Sequence, residues 1–220
     1  KGAALQKHPD HSTITPTAPI AAATHGWRAK CLQRLIRLDL PVPRTVALSF
    51  AAVRAIASGQ PAPARAILAG FDAAPLVSIR PSPENPDWGG PGTILNIGLN
   101  AERHRMLVDS HGHEVADALY LRFVQAYAIH VARLDPDMFD ASAPSAEALR
   151  TALRAYEQET DEPFPQDPAV QLTQALRSMA RAWEGTTARL LRQAKGAPAD
   201  AGLGLVVQRM ALGLGRGMSG

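Results

Sequence analysis

Ser78-Ile79-Arg80, the loop Pro81-Ser82-Pro83-Glu84-Asn85-Pro86-Asp87-Trp88-Gly89-Gly90-Pro91-Gly92, and Thr93-Ile94-Leu95-Asn96-Ile97-Gly98-Leu99-Asn100 form the stretch that decides how this chain is read. Branched and apolar residues mark Leu76 to Arg80 and Thr93 to Leu99 as strands, joined by a long connection. Arg80 closes the first strand with a planar fork of donors suited to phosphate oxygens. Gly89, Gly90 and Gly92 let the following backbone approach a ligand closely. Taken alone, the same residues also describe a surface arginine beside a solvated loop.

Upstream, residues 1 to 24 mix His, Thr, Pro and Ala without periodicity and read as an irregular lead-in. From Gly26 the spacing of Leu32, Leu35, Ile36 and Leu38 predicts an amphipathic helix that stops at Asp39 and the Leu40-Pro41-Val42-Pro43 break. A strand is expected at Thr45 to Leu48, and Ser49 can cap a second helix through about Ala57.

Downstream of Asn100 the character turns helical. Val115, Leu119, Phe123, Tyr127 and Val131 define a long helix begun near His113. A polar break from Asp135 to Pro144 precedes a helix over Ser145 to Glu159, whose Ser145 and Glu147 suit a cap and a negative first turn. After the corner Pro163-Phe164-Pro165-Gln166-Asp167-Pro168, Asp167 can cap a helix with Pro168 at its first position. Leu172, Leu176, Met179 and Trp183 make its apolar face. Thr186 opens a further helix through Ala194, and Gly204 to Leu212 reads as a strand followed by a glycine-rich turn toward a further strand. The chain is therefore α+β, with strands toward both ends and a helical block inserted between.

With 220 residues the chain can bury a core without staples. Its single cysteine, Cys31, excludes an intramolecular disulfide and fits a reducing, cytoplasmic setting. Apolar runs such as Leu203 to Val207 are far too short to span a bilayer. A net charge of +3, arginines spread over several helices and few aromatics argue against a nucleic-acid surface. The chain starts at Lys1 rather than Met and ends at Gly220 just after a strand-like segment, so it reads as part of a longer protein.

His104, Asp109, His111, His113 and Glu114 are residue types that ligate zinc. One turn supplies most of them, and His113 and Glu114 are expected to begin the long helix instead. The tail Gly213-Leu214-Gly215-Arg216-Gly217-Met218-Ser219-Gly220 lacks the lysine and following helix of a P-loop. Gly26-Trp27-Arg28-Ala29-Lys30 opens a helix with two cations, which suits an anion at a helix N-terminus or an ordinary solvated face. The amphipathic faces of residues 101–166 suit packing within the chain more than a docking surface.

Taken in order, these segments resemble the N-terminal nucleotide-binding region of the pyruvate phosphate dikinase family, relatives of phosphoenolpyruvate synthase with an ATP-grasp-like fold. The landmarks are the helix leading into Leu40-Pro41-Val42-Pro43, Leu76-Val77-Ser78-Ile79-Arg80, and Thr93 to Asn100. They continue through Arg122-Phe123-Val124-Gln125-Ala126-Tyr127, Phe164-Pro165-Gln166-Asp167-Pro168, and Val206-Val207-Gln208-Arg209-Met210. The resemblance runs from about Gly26 onward. It implies an ATP-grasp-like subdomain over 26–100 and 167–220, incomplete at its C-terminal end, a helical inserted subdomain over 101–166, and a lead-in over 1–25.

The resemblance also implies ATP and Mg²⁺ as cofactors, with the metal ligands beyond this chain. The implied activity is phosphoryl transfer from ATP to a histidine on a separate swivelling domain, which visits a barrel domain that interconverts pyruvate and phosphoenolpyruvate. Homodimerisation is a further expectation. Arg80 falls on the family's phosphate-contacting arginine and Arg28 on its glycine-flanked lysine; Gly89, Gly90, Gly92 and Thr93 complete the expected phosphate contacts. The family's Gly-Gly-Lys-Gly-Ala-Asn is here Gly26-Trp27-Arg28-Ala29-Lys30-Cys31, and its Ser-Gly-Ala-Arg after the strand is Pro81-Ser82-Pro83-Glu84. These departures place an indole and an anion where the family keeps a glycine and a cation. They motivate the alternative of a non-catalytic paralogue with a structural or regulatory role. By itself this piece is expected not to turn over.

Overall fold

A computed structural model describes residues 11–140 and 143–210. A five-stranded antiparallel sheet runs β1 (His11–Thr13), β2 (Thr45–Leu48), β5 (Leu203–Arg209), β3 (Val77–Pro83), β4 (Ile94–Ile97) in spatial order. The expected strands at 45–48 and around 77–80 and 94–97 are present. The first strand of the hairpin, however, extends through Pro83, because Pro81, Ser82 and Pro83 lie opposite Leu205, Gly204 and Leu203 of β5. The tail beyond Met210, where the glycine-rich turn is expected, lies outside the described residues.

Side chains alternate across a strand, and the two faces of this sheet bury different partners. Val46, Leu48, Val77, Ile79, Leu205 and Val207 join the main core. That core runs without interruption into the helices: α3 (Phe50–Ala57), α4 (Ala64–Ala69), α5 (Ala101–His111), α6 (His113–Ala126), α7 (Ala146–Thr160) and α8 (Pro168–Glu184). Ala47 and Val206 face the other way and pack with Ile14, Ile20 and Ala29 beneath α2 (Trp27–Arg37). One sheet thus carries a thick helical layer on one side and a thin one, chiefly α2, on the other.

Local chemistry sets the helix starts. Ser49 Oγ accepts from Ala52 N (3.1 Å) and Ser145 Oγ from Ala148 N (3.0 Å), the caps expected from sequence. Asp167 Oδ1 accepts from Ala169 N (2.9 Å) with Pro168 at the first helical position. The helix from His113 closes in a π-helical turn over Tyr127–Val131. Helix α9 (Thr186–Ala194) follows α8, and Arg192 folds back to lie over the Trp183 ring at 3.8 Å, its Nη1 donating to Trp183 O.

The lead-in, expected to be irregular, contributes β1 and a short turn of helix, α1 (Ala22–His25). Part of its described backbone is satisfied from α2: the fully buried Gln33 donates from Nε2 to Thr15 O (3.1 Å) and Ala18 O (2.8 Å). A buried amide here replaces the ladder bonds a longer strand would have made. Among the described residues no helix is long and apolar enough to cross a membrane.

Candidate functional site

The start of α2 rests on the end of β3. Gly26, between α1 and α2, holds φ +88°, and a Cβ there would lie 1.7 Å from Ser82 O. Only glycine fits that approach. Having no side chain, it cannot cap the helix, and Ser82 does so from the strand: its Oγ accepts from Ala29 N (3.2 Å) and donates to His25 O (2.8 Å). Gly204, opposite Ser82 on β5, is equally constrained, since a Cβ there would meet His25 O at 2.3 Å. Sequence reasoning missed Ser82, because its role is a contact between segments fifty-three residues apart.

This junction brings Arg28 and Arg80 together. Arg28, in the first turn of α2, donates from Nε to Pro81 O (3.1 Å). Burial and then the field of Arg80 draw the Arg28 guanidinium below its ordinary value. Arg80 is half-buried, and its Nε is buried without a hydrogen-bond partner. Such a donor is costly to leave unmade. Two guanidinium groups and a helix N-terminus therefore converge on the thinly covered face of the sheet, a setting that favours an anion with several oxygens.

The loop glycines are placed differently. Gly90 packs over Pro81, its Cβ position 3.1 Å from the proline Cβ and 3.9 Å from Trp183 Cζ3. Strand alternation puts Pro81 on the face opposite Arg80, so Gly90 belongs to the helical side. The Cβ position of Gly89 is 3.6 Å from Lys195 Nζ, a cation that sequence reasoning did not single out. Nothing lies within 4 Å of the corresponding position at Gly92, and Thr93 is exposed. Glu84 is exposed beyond the end of β3 and, among the described residues, forms no ion pair.

His104, weighed with Asp109, His111 and His113 as a ligand, instead donates from Nε2 to Asp117 Oδ1 (2.7 Å). Among the described residues no group of three or more His, Cys, Asp or Glu is placed to hold a metal ion.

The fold and this junction describe an α+β domain with two arginines brought together at a strand–helix contact. No family model matches the chain. The chain is similar to the pyruvate, phosphate dikinase of Rhizobium meliloti (strain 1021), with 32% identity over 161 residues. It is also similar to the pyruvate, phosphate dikinase of Clostridium symbiosum, with 28% identity over 158 residues. Each match covers 63% of this chain and 18% of the relative, so the matched segment is a small part of either enzyme.

Proposed function

We propose that this chain is part of the ATP-binding region of a pyruvate phosphate dikinase-like phosphotransferase, with an ATP-grasp-like core and a helical insertion over 101–166. The observation that carries the reading is the convergence of Arg28 and Arg80 around a buried, unpartnered Arg80 Nε. Nucleotide polyphosphate supplies the oxygens that such donors lack, and Arg28, held on Pro81 O, is oriented before a ligand arrives. In phosphoryl transfer the protein contributes chiefly positioning and charge neutralisation, the task guanidinium groups perform. The described residues offer no carboxylate cluster for Mg²⁺, so no metal ligand is assigned to them. A swivelling phosphohistidine domain and a pyruvate-binding barrel in the same protein belong to this proposal, as does a role in pyruvate/phosphoenolpyruvate interconversion.

Calorimetry of the full-length protein with Mg-ATP tests the reading. Saturable binding is expected, and Arg80→Ala should weaken it about tenfold or more, the loss of one charge-assisted contact. No heat at millimolar nucleotide, or an affinity unchanged in Arg80→Ala, overturns it. Trp27, 43% exposed at the head of α2, and the exposed Glu84 favour the second reading, a non-catalytic paralogue. That reading predicts a folded protein that neither binds nucleotide nor transfers phosphate.

A further inference from the structure

We propose that the cleft between α5 and α7, remote in sequence from the Arg28–Arg80 site, binds a small organic acid: an apolar body carrying a carboxylate. The cleft encloses about 480 Å³. That volume lies within the range of small-molecule sites, roughly 300–1,000 Å³.

Its floor is apolar and already formed. Phe164 is buried and packs edge-on against Phe123, Tyr127 and Tyr156 at 5.2–5.5 Å between ring centroids, which fixes it before any ligand arrives. Leu149 and Leu153 of α7 extend this surface along one wall. The Tyr120 hydroxyl accepts from Gln166 Nε2 (3.4 Å), leaving its own proton to donate, and burial pushes the phenol up so that it keeps that proton.

The rim is cationic from both sides. Arg105 stands on α5, and Arg150 and Arg154 stand on α7. All three are exposed, and among the described residues none of them forms an ion pair. Arg150 and Arg154, four residues apart, are like charges on one helix face, an arrangement that destabilises an isolated helix. Glu157 is the acidic residue lining the cleft, and the neighbouring His104 is committed to Asp117. An anion between α5 and α7 relieves this repulsion, and an apolar body attached to it covers the aromatic floor. An inorganic anion satisfies the rim alone, and a neutral hydrocarbon the floor alone. The two features together select an acid that carries both.

The test is calorimetry and hydrogen-exchange mass spectrometry on the full chain, with phenylpropionate as the probe and acetate and phenylpropanol as its separated halves. Phenylpropionate should bind saturably and slow exchange in α5 and α7, with each half at least about tenfold weaker. The double variant R150Q/R154Q should lose binding by about tenfold or more, while its circular dichroism and melting temperature hold or rise as the repulsion disappears. R105Q should weaken binding from the opposite wall. Arg80→Ala should leave it unchanged, which separates this site from the nucleotide reading. The proposal is overturned by absence of saturable binding, by acetate binding as well as phenylpropionate, by full binding in the double variant, or by protection outside α5 and α7.

Discussion

Replacing Gly26 by alanine tests whether the strand–helix junction is as tight as its geometry implies, and the molecule contains its own control. Gly26 (φ 88°, ψ 169°) and Gly112 (φ 87°, ψ 166°) have nearly the same backbone conformation, each between two helices. An alanine at either position carries the same conformational strain, about 1–3 kcal/mol for this glycine-favoured region. At Gly112 nothing lies within 4 Å of the new Cβ, whereas at Gly26 it would lie 1.7 Å from a backbone oxygen of β3. Backbone cannot rotate aside, so α2 must lift from the strand and break the Ser82 hydrogen bonds to Ala29 N and His25 O. Adding an overpacking term of about 1–3 kcal/mol brings Gly26→Ala to about 2–6 kcal/mol, against about 1–3 for Gly112→Ala. Urea unfolding followed by circular dichroism reads both, with the difference appearing in the midpoint at similar slope. Equal losses in the two variants would refute the reasoning, since the contact with Ser82 would then contribute nothing.

Gln171 is fully buried; its Oε1 accepts from Gly98 N (2.9 Å), and its Nε2 donates to Leu99 O (2.8 Å) and Pro165 O (2.7 Å). Gln171→Leu strands these backbone groups and should cost about 3 kcal/mol or more in chemical denaturation. The Asp167 carboxyl is held below its ordinary value by the Ala169 amide first and then by Arg65. A carboxyl lowered in the folded state contributes stability above its unfolded pKa and loses it as pH falls through the folded one. Asp167→Ala should therefore cost about 1 kcal/mol at neutral pH, and thermal melts of the two proteins should converge below about pH 4. A gap that persists at low pH would show that the cap does not act through the ionised carboxylate.

Local signals were readable where a residue serves its own segment. Ser49, Ser145 and Asp167 announce helix starts because a cap is a contact over two or three residues, and the 45–48 strand shows in its apolar run. Strand β1 was not readable, because His11–Thr13 is short and polar and is a strand only by pairing with Leu48, Ala47 and Val46. Helix α4 was missed as well, since Pro61 and Pro63 just upstream read as a break and it has only six residues. The pairing of Arg28 with Arg80 followed from the family resemblance, not from spacing. Ser82 as a cap left no local mark at all, because its partner helix lies far upstream.

The position of β5 has a consequence for how the protein is made. Leu203–Arg209 lies between β2 and β3 and hydrogen-bonds to both, although those strands are synthesised long before it. A nascent chain that has reached α9 holds two bare strand edges and no means of joining them. Such edges are the surfaces through which β proteins pair with the wrong neighbour, and non-local pairing is slow. Gly204 arrives on the same strand, and with it the surface on which the α1–α2 turn closes. The surroundings of the arginine pair are thus completed only after β5 has emerged, and a chain interrupted before Leu203 would leave both strand edges bare and be prone to aggregate.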